Sequence, residues 1–215
     1  ATVGPALEPL LIWRVPRTVG AMAAGGLLAL AGTLLQRLTG NPMASPEILG
    51  VSAGAALGLM VALFALPPPG YLTQTTAMAV GAGGVVAMLL WLVRRARWAG
   101  TRVLLAGVTL SAFLMALLSL ATASGDPRAL LLMTWMTGST YAVDETKAMI
   151  AAVMAAGAVV AIPFVARPLD ILSLGAASAR NAGLDVGQAH GWALGLCALL
   201  TAVATLVVGP LSFVG

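Results

Sequence analysis

Six long uncharged stretches limit the possible folds of this chain more than any other feature of its sequence. Each has at least 18 residues without Asp, Glu, Lys or Arg, and they cover 18–36, 48–66, 72–93, 103–124, 148–166 and 191–209. A helix crosses the hydrocarbon core of a bilayer with about 20 apolar residues, and a charge at its centre costs about 2.5–3.5 kcal/mol. The stretches lack the alternation of barrel strands. We therefore predict an all-α, polytopic membrane helical bundle with about six complete spans, forming a single membrane-spanning domain over residues 1–215.

The composition supports a hydrocarbon environment and argues against nucleic acid as a partner. Of the 215 residues, 60% are hydrophobic and 8% are charged, whereas a soluble domain has about 25% charged residues. The pI of about 10.2 reflects 11 basic against 7 acidic residues, without any basic tract. A modest Arg excess in a membrane protein reflects its orientation. We expect no nucleic-acid binding.

The basic residues also predict which side of the membrane each loop faces. Six alternating spans place seven Arg residues on one side and four basic residues on the other, and the 94–102 loop alone has four Arg. Under the positive-inside rule, the side with seven Arg faces the cytoplasm.

Local signals predict where the spans begin and end. Ser45 is expected to cap the second span, with Pro46 in its first turn and Glu47 favoured by the helix dipole. Asp144 and Glu145 are expected to open the fifth span.

Small residues recur at helical spacing within the spans. Gly50, Gly54 and Gly58 repeat every four residues, and Gly191 and Gly195 repeat the spacing. Such a face lets two helices approach closely in lipid. The triplet is therefore a candidate packing face, although a membrane protein rich in Gly shows the same spacing by chance.

The residue types present exclude several kinds of catalytic or cofactor site. Lys147, the single Lys, follows Thr146 and not the glycine of a phosphate-binding loop, so any ATP-driven step must come from another polypeptide. His190 is more typical of an interfacial residue than of a ligand, and Cys197 of a small buried hydrophobe. We predict no catalytic, cofactor-binding or metal-ligating residue. Any metal that is transported would have to arrive already chelated.

Two loops carry the remaining functional signals. On the predicted cytoplasmic side, residues 176–182 would form a two-turn helix that ends at Gly183, either docking a cytosolic partner or lying against lipid headgroups. On the opposite side, Arg14 and Arg17 stand at the mouth of the first span. They would anchor to headgroup phosphates or dock an acidic periplasmic partner.

These motifs resemble the FecCD family of importer permeases, the membrane subunits that serve iron-siderophores, haem and cobalamin. The resemblance rests on segments that run in family order along the whole chain: 14–17 (RVPR), 36–55 (QRLTGNPMASPEILGVSAGA), 104–108 (LLAGV), 135–139 (WMTGS), 174–175, 179–180, 183–184 and 209–215. Within the family, segments 39–46, 124–128 and 138–141 look most like the second half of the double-length iron(III)-hydroxamate (ferrichrome-type) permease.

The resemblance implies a fold and a set of partners. The fold would be that of a type II ABC importer permease (BtuC-like), with ten spans per half. The chain would be a fragment that lacks the first and last spans, as its start without Met and its apolar end also suggest. The partners would be a second permease half (fused or separate), cytosolic ATPase subunits, a periplasmic substrate-binding protein and the lipid of the bacterial inner membrane.

The resemblance also implies roles for particular residues. Arg14 and Arg17 match the basic pair that docks the binding protein. The loop that couples to the ATPase would include Leu172, Leu174, Gly175, Ala177, Ser178, Ala179, Arg180 and Gly183. The region of the periplasmic gate would include Gly209, Pro210, Phe213 and Gly215. The chain departs from many relatives at Ala176, where they have an acidic residue.

The function predicted from these residues is ATP-driven import of iron(III)-hydroxamate siderophores, with the chain as a translocation subunit and not an enzyme. ATP would bind the partner subunit, and iron would pass as its chelate. The alternatives are another iron chelate, haem or cobalamin within the same family, an ion-coupled secondary transporter, or a structural membrane protein. A secondary transporter typically has ionisable residues within its spans, and none occurs in these six stretches.

Overall fold

The computed structural model describes residues 8–65, 70–95, 100–141, 143–173 and 176–210. Within these ranges the regular structure is helical throughout, with one 3-10 helix at Pro46–Leu49 and no β-strand. The α-helices are α1 (Glu8–Thr39), α2 (Val51–Ala65), α3 (Tyr71–Arg95), α4 (Gly100–Ala123), α5 (Pro127–Met136), α6 (Glu145–Ser173), α7 (Ala176–Asn181) and α8 (Val186–Val208). The all-α prediction is confirmed.

The count of complete spans needs a correction. In the described ranges five helices, α1, α3, α4, α6 and α8, are long and apolar enough to cross a membrane, whereas six were predicted. The sixth, α2, has 15 residues, which at 1.5 Å per residue is about 22 Å, against a hydrocarbon core of about 30 Å. The predicted span 48–66 is interrupted because Gly50 takes a left-handed conformation (φ 75°) after the 3-10 helix.

Helix α5 was not predicted as a separate element. It begins where the Asp126 carboxylate accepts a hydrogen bond from the Arg128 backbone N–H at 2.8 Å. The Arg128 guanidinium also donates to the carbonyl oxygen of Leu63 at 3.0 Å, so the start of α5 is held against the last turn of α2. The ten residues of α5 were too short for a search based on span length.

Helix α8 is the central helix of the bundle. In its most apolar window 56% of the residues are buried, against 17% in α4 and in α6. Its Leu194 and Leu200 belong to the same buried cluster as Leu27 and Leu35 of α1. The hydroxyls of Thr205 and Ser52 lie 3.1 Å apart inside the bundle, which satisfies two polar groups that would be costly to bury alone.

Gly54 and Gly58 of α2 and Gly81 of α3 lie where these two helices touch. A Cβ atom added to Gly58 would overlap the carbonyl group of Ala77, and one added to Gly81 would overlap the carbonyl oxygen of Gly54. Gly50 meets a different helix, because a Cβ there would lie 2.7 Å from the Ser111 hydroxyl of α4. The backbones of α2 and α3 therefore approach as closely as small residues permit. Gly195, by contrast, has no neighbouring atom within 4 Å of an added Cβ.

The long helices and α2 alternate in direction along the chain, so the loops predicted on each side of the membrane lie at one end of the bundle. At one end, called the inner end here because it carries the predicted cytoplasmic loops, Arg37 of α1 forms a salt bridge of 2.9 Å with Asp170 of α6. At the opposite, outer end, the Ser139 N–H donates to the Val208 carbonyl at the end of α8 over 2.7 Å. Residues predicted on the same side thus contact one another.

The predicted helix start is confirmed at α6 and only partly confirmed at the second span. Pro46 occupies the first turn of the 3-10 helix as expected, but Ser45 makes no side-chain cap, and α2 begins only at Val51. At α6 the prediction is confirmed, since the helix begins at Glu145 and the Asp144 carboxylate accepts the Lys147 N–H at 2.8 Å.

Candidate functional site

The two basic residues of α1 have different surroundings at the outer end. The guanidinium carbon of Arg17 lies 4.5 Å from the centre of the Tyr141 ring, in the geometry of a cation–π contact. The side chain of Arg14 is exposed, and its carbonyl oxygen accepts the Thr18 hydroxyl at 2.9 Å. Arg17 is therefore held against the loop before α6, while Arg14 faces the surroundings of the protein.

The segment from 137 to 143 joins α1 to the end of α8. Besides its contact with Arg17, it bonds to Val208 through the Ser139 N–H, and a Cβ on Gly20 would lie 2.7 Å from the Val143 side chain. Arg17, one of the two predicted docking residues, is thus linked to the predicted gate region through one short segment.

Gly209 occupies a position that only glycine fits. Its φ of 79° is left-handed, and an added Cβ would lie 2.9 Å from the Trp135 carbonyl oxygen and 3.0 Å from the Gly138 Cα. The next residue, Pro210, is buried. The other two predicted gate residues, Phe213 and Gly215, lie outside the described residues.

A cavity of about 580 Å³ opens beside this segment at the outer end. Its walls come from α3, α5, α6 and α8, and the Lys147 ammonium lies 4.9 Å from the centre of the Tyr71 ring. This cavity was not predictable from the sequence, because its residues are far apart in the chain and no motif joins them. The polar lining residues are Tyr71, Gln74, Thr75, Thr134, Thr137, Ser139, Tyr141 and Lys147.

At the inner end, α7 confirms the predicted short helix and its glycine stop. The helix covers Ala176–Asn181, and Gly183 is left-handed with φ 79°. The Gly183 N–H donates to the Arg180 carbonyl at 2.9 Å, and the Leu184 N–H donates to the Ala179 carbonyl at 3.0 Å. These two bonds form a complete Schellman cap, so α7 ends in one defined geometry.

The structure divides the predicted coupling residues into exposed and buried positions. Ser178, Arg180 and Gly183 are exposed, and Leu172 is half-buried. Ala179 is fully buried, so its side chain faces the protein interior in this chain. Leu174, Gly175 and the side chain of Ala177 lie outside the described residues.

Glu47, within the 36–55 motif at the inner end, is more enclosed than its position at a helix start suggested. Its Oε1 atom is shielded from water and has no hydrogen-bond partner in the described part of the chain. Loss of water around the carboxylate raises the pKa of Glu47 above its usual range. A half-buried carboxyl in a loop that packs on α4 and α8 was not foreseen from sequence.

The described residues give no sign of a metal centre. Over the described ranges, no group of three or more His, Cys, Asp or Glu residues converges. The Nδ1 atom of His190 lies 2.7 Å from the Val186 carbonyl oxygen, one turn earlier in α8, which is a local helix contact.

Comparison with known proteins places these features in one family. The model of the FecCD transport family matches residues 6–215. The iron(3+)-hydroxamate import system permease protein FhuB of Salmonella typhimurium is 42% identical over 99% of this chain, which covers 31% of FhuB. The Fe(3+) dicitrate permease protein FecD of Escherichia coli is 32% identical over 96% of the chain, and the vitamin B12 permease protein BtuC of Salmonella schwarzengrund is 35% identical over 96%. The chain covers 64% of each of these two relatives.

The fold also matches a solved structure. An inward-facing metal-chelate type ABC transporter superposes with a TM-score of 0.83 over 99% of this chain and 69% of its own, at 22% identity. The chain spans about a third of FhuB and less than two thirds of the other two relatives. With a family match that runs from the first helix to the outer end of α8, this multi-pass membrane chain belongs to the FecCD transport family.

Proposed function

We propose that this chain forms part of the transmembrane permease of an ATP-driven importer that moves iron(III)-hydroxamate siderophores across the bacterial inner membrane. The observation that carries the proposal is the 42% identity to FhuB, which extends over 99% of the chain and so includes both ends of the bundle. Neither the motifs nor the described side chains supply an ATP-binding or metal-binding group, so the energy would come from a separate ATPase subunit and the iron would travel inside its chelator.

The inner end would receive that energy through α7. The Schellman cap fixes the short helix, and its exposed Ser178 is available to a cytosolic partner. Movement of α7 would pass to α6 and α8, the helices on either side of it in the chain. Because α8 is the most buried of the long helices, a displacement at its start would be transmitted through the packed bundle to its outer end.

The outer end would receive the loaded binding protein. Arg14, which is exposed, is suited to an acidic docking surface, whereas Arg17 would position the 137–143 segment through Tyr141. The segment reaches Val208 and Gly209, so docking and gating would share one connection. The second permease half would complete the pathway.

An uptake assay tests both the substrate and the energy source. The full-length permease that carries this chain is expressed with its neighbouring ATPase and binding protein in spheroplasts that lack their own chelate permeases. We expect uptake of radiolabelled ferric hydroxamate that persists when the proton gradient is collapsed and ATP is maintained. Ferric dicitrate and vitamin B12 serve as matched substrates, since FecD and BtuC share 32% and 35% identity with the chain.

Each alternative gives a different result in the same assay. Uptake of ferric dicitrate or vitamin B12 in place of ferric hydroxamate would support the importer class and contradict hydroxamate as the substrate. Loss of hydroxamate uptake with ATP intact would favour an ion-coupled transporter and contradict the proposal. No uptake of any chelate would favour a structural role.

A further inference from the structure

A basic groove lies at the inner end, outside the outer cavity and the predicted gate. It is about 720 Å³ in volume and lies between the last turn of α3 and the connection from α7 to α8. Its walls are Arg94, Arg180 and residues 183–187. This volume is in the range of pockets that hold small organic ligands, about 300–1,000 Å³.

The groove has a net positive charge, because two Arg residues and one Asp line it. Arg94 and Arg180 are both exposed, and neither has a hydrogen-bond or ion-pair partner among the described residues. The one acidic side chain in the groove, Asp185, already accepts the Gln188 N–H at 3.0 Å as the cap of α8. The guanidinium groups are therefore free for a further acceptor, and phosphate oxygens suit their planar donor geometry.

Two tryptophans place the groove at the level of the lipid headgroups. Trp91, one turn before Arg94 on α3, is 54% exposed, and Trp192 on α8 is 78% exposed. Exposed Trp side chains collect at the boundary between hydrocarbon and headgroups. The apolar window of α3 ends at Leu92 and that of α8 begins at Val186, so both span boundaries fall at the groove. A ligand there would meet lipid at least as readily as cytosol.

We propose that this groove binds the headgroup of an anionic phospholipid, with its phosphodiester held between Arg94 and Arg180. Anionic headgroups bind in basic pockets between membrane helices on the cytoplasmic side. The lipid would join the end of α3 to the α7–α8 connection at the inner end, in addition to the direct packing of α3 on α8. The inference concerns a defined lipid site and does not depend on which chelate is transported.

Native mass spectrometry of the purified full-length permease tests the proposal. The protein is titrated with phosphatidylglycerol or with phosphatidylcholine, and the bound lipid is counted. Since each Arg near a membrane surface adds about fivefold to the affinity for an anionic lipid, the double variant R94Q/R180Q should bind phosphatidylglycerol about 30-fold more weakly. Its binding of phosphatidylcholine should not change. R94K/R180K keeps both charges and should retain most of the affinity.

The matched control is R167Q, which removes an exposed Arg at the same end but outside the groove. Equal binding of phosphatidylglycerol by wild type and R94Q/R180Q, or an equal loss in R167Q, would overturn the proposal. So would displacement of the lipid by millimolar inorganic phosphate, which would indicate a site for the free anion. If R94Q/R180Q kept the lipid but lost the copurifying ATPase subunit, the groove would be a protein docking surface instead. As a check that does not depend on variants, photoreactive phosphatidylglycerol should crosslink to residues 183–187 of the wild type.

Discussion

At the scale of single residues, Glu47 shows how packing overrides a local signal. A Glu in the first turn of a helix is normally exposed and stabilised by the helix dipole. Here the turn is a 3-10 helix that packs against α4 and α8, and the Oε1 atom loses both water and hydrogen-bond partners among the described residues. The sequence places an acid at this position but gives no sign that a neighbouring helix will cover it.

The raised pKa of Glu47 predicts how stability depends on pH. Because the folded protein holds this proton more tightly than the unfolded chain, the carboxyl's contribution to stability is greatest below its ordinary pKa of 4.5 and is lost as the pH rises through the folded pKa. The variant E47Q removes the ionisable group and keeps the shape. We expect the thermal stability of the wild type in detergent to fall, relative to E47Q, between pH 4 and neutral pH. A difference in Tm that stays constant with pH would contradict the burial of the carboxyl.

At the scale of secondary-structure elements, the sequence predicts features that depend on neighbouring residues and misses those that depend on distant ones. Helix α7 and its Gly183 stop were predicted because a Schellman cap needs only a few consecutive residues. The shortness of α2 was missed because the apolar run continues before Val51, and the sequence gives no sign that Gly50 turns the chain there. The partners of Gly54 and Gly58 were not predictable, since the backbone they contact belongs to α3.

The close contact of α2 with α3 predicts that adding a single methyl group at this contact lowers the stability of the protein. In G58A the new Cβ would overlap the Ala77 carbonyl, so the helices must separate, and overpacking of this kind costs about 1–3 kcal/mol. The matched control is G195A on α8, where an added Cβ meets nothing within 4 Å. We expect G58A to lower the Tm of the purified permease and G195A to leave it nearly unchanged. Equal Tm values for both variants would be inconsistent with the crossing described here.

At the scale of the whole molecule, α8 connects the two ends at which partners are proposed to act. Its first turn follows the capped α7, and its last residues bond to the segment that also holds Arg17. The family resemblance located the loop before α8 and the region after it. It did not reveal that Ala179 is buried, or that Tyr141 lies between Arg17 and the predicted gate region, since both depend on the assembled bundle.

The proposed coupling role of α7 predicts a loss of transport from a single exposed position. In S178E a charge replaces a small polar group on the face available to the ATPase. Burying it there should weaken association at least about tenfold, because an unpaired buried charge costs more than about 1.4 kcal/mol. ATPase activity that depends on binding protein, measured in nanodiscs, should fall with chelate uptake.

The control for S178E is Q188E, at an exposed position in the first turn of α8. Wild-type coupling in S178E, or the same loss in Q188E, would reject the docking role of α7. A charge at Ala179 is unsuitable for this purpose, since that side chain is buried and the change would act on folding.

The length of α2 has a consequence for how the bundle responds to its membrane. Its 15 residues measure about 22 Å, less than the hydrocarbon thickness of about 30 Å, and most of its side chains are buried. When a bilayer thickens or thins, a long peripheral helix must tilt or draw lipid along with it, at a cost for each ångström of mismatch. Because most of α2 is buried, we expect changes in bilayer thickness to act first on the longer, less buried helices and to reach the contact of α2 with α3 through them.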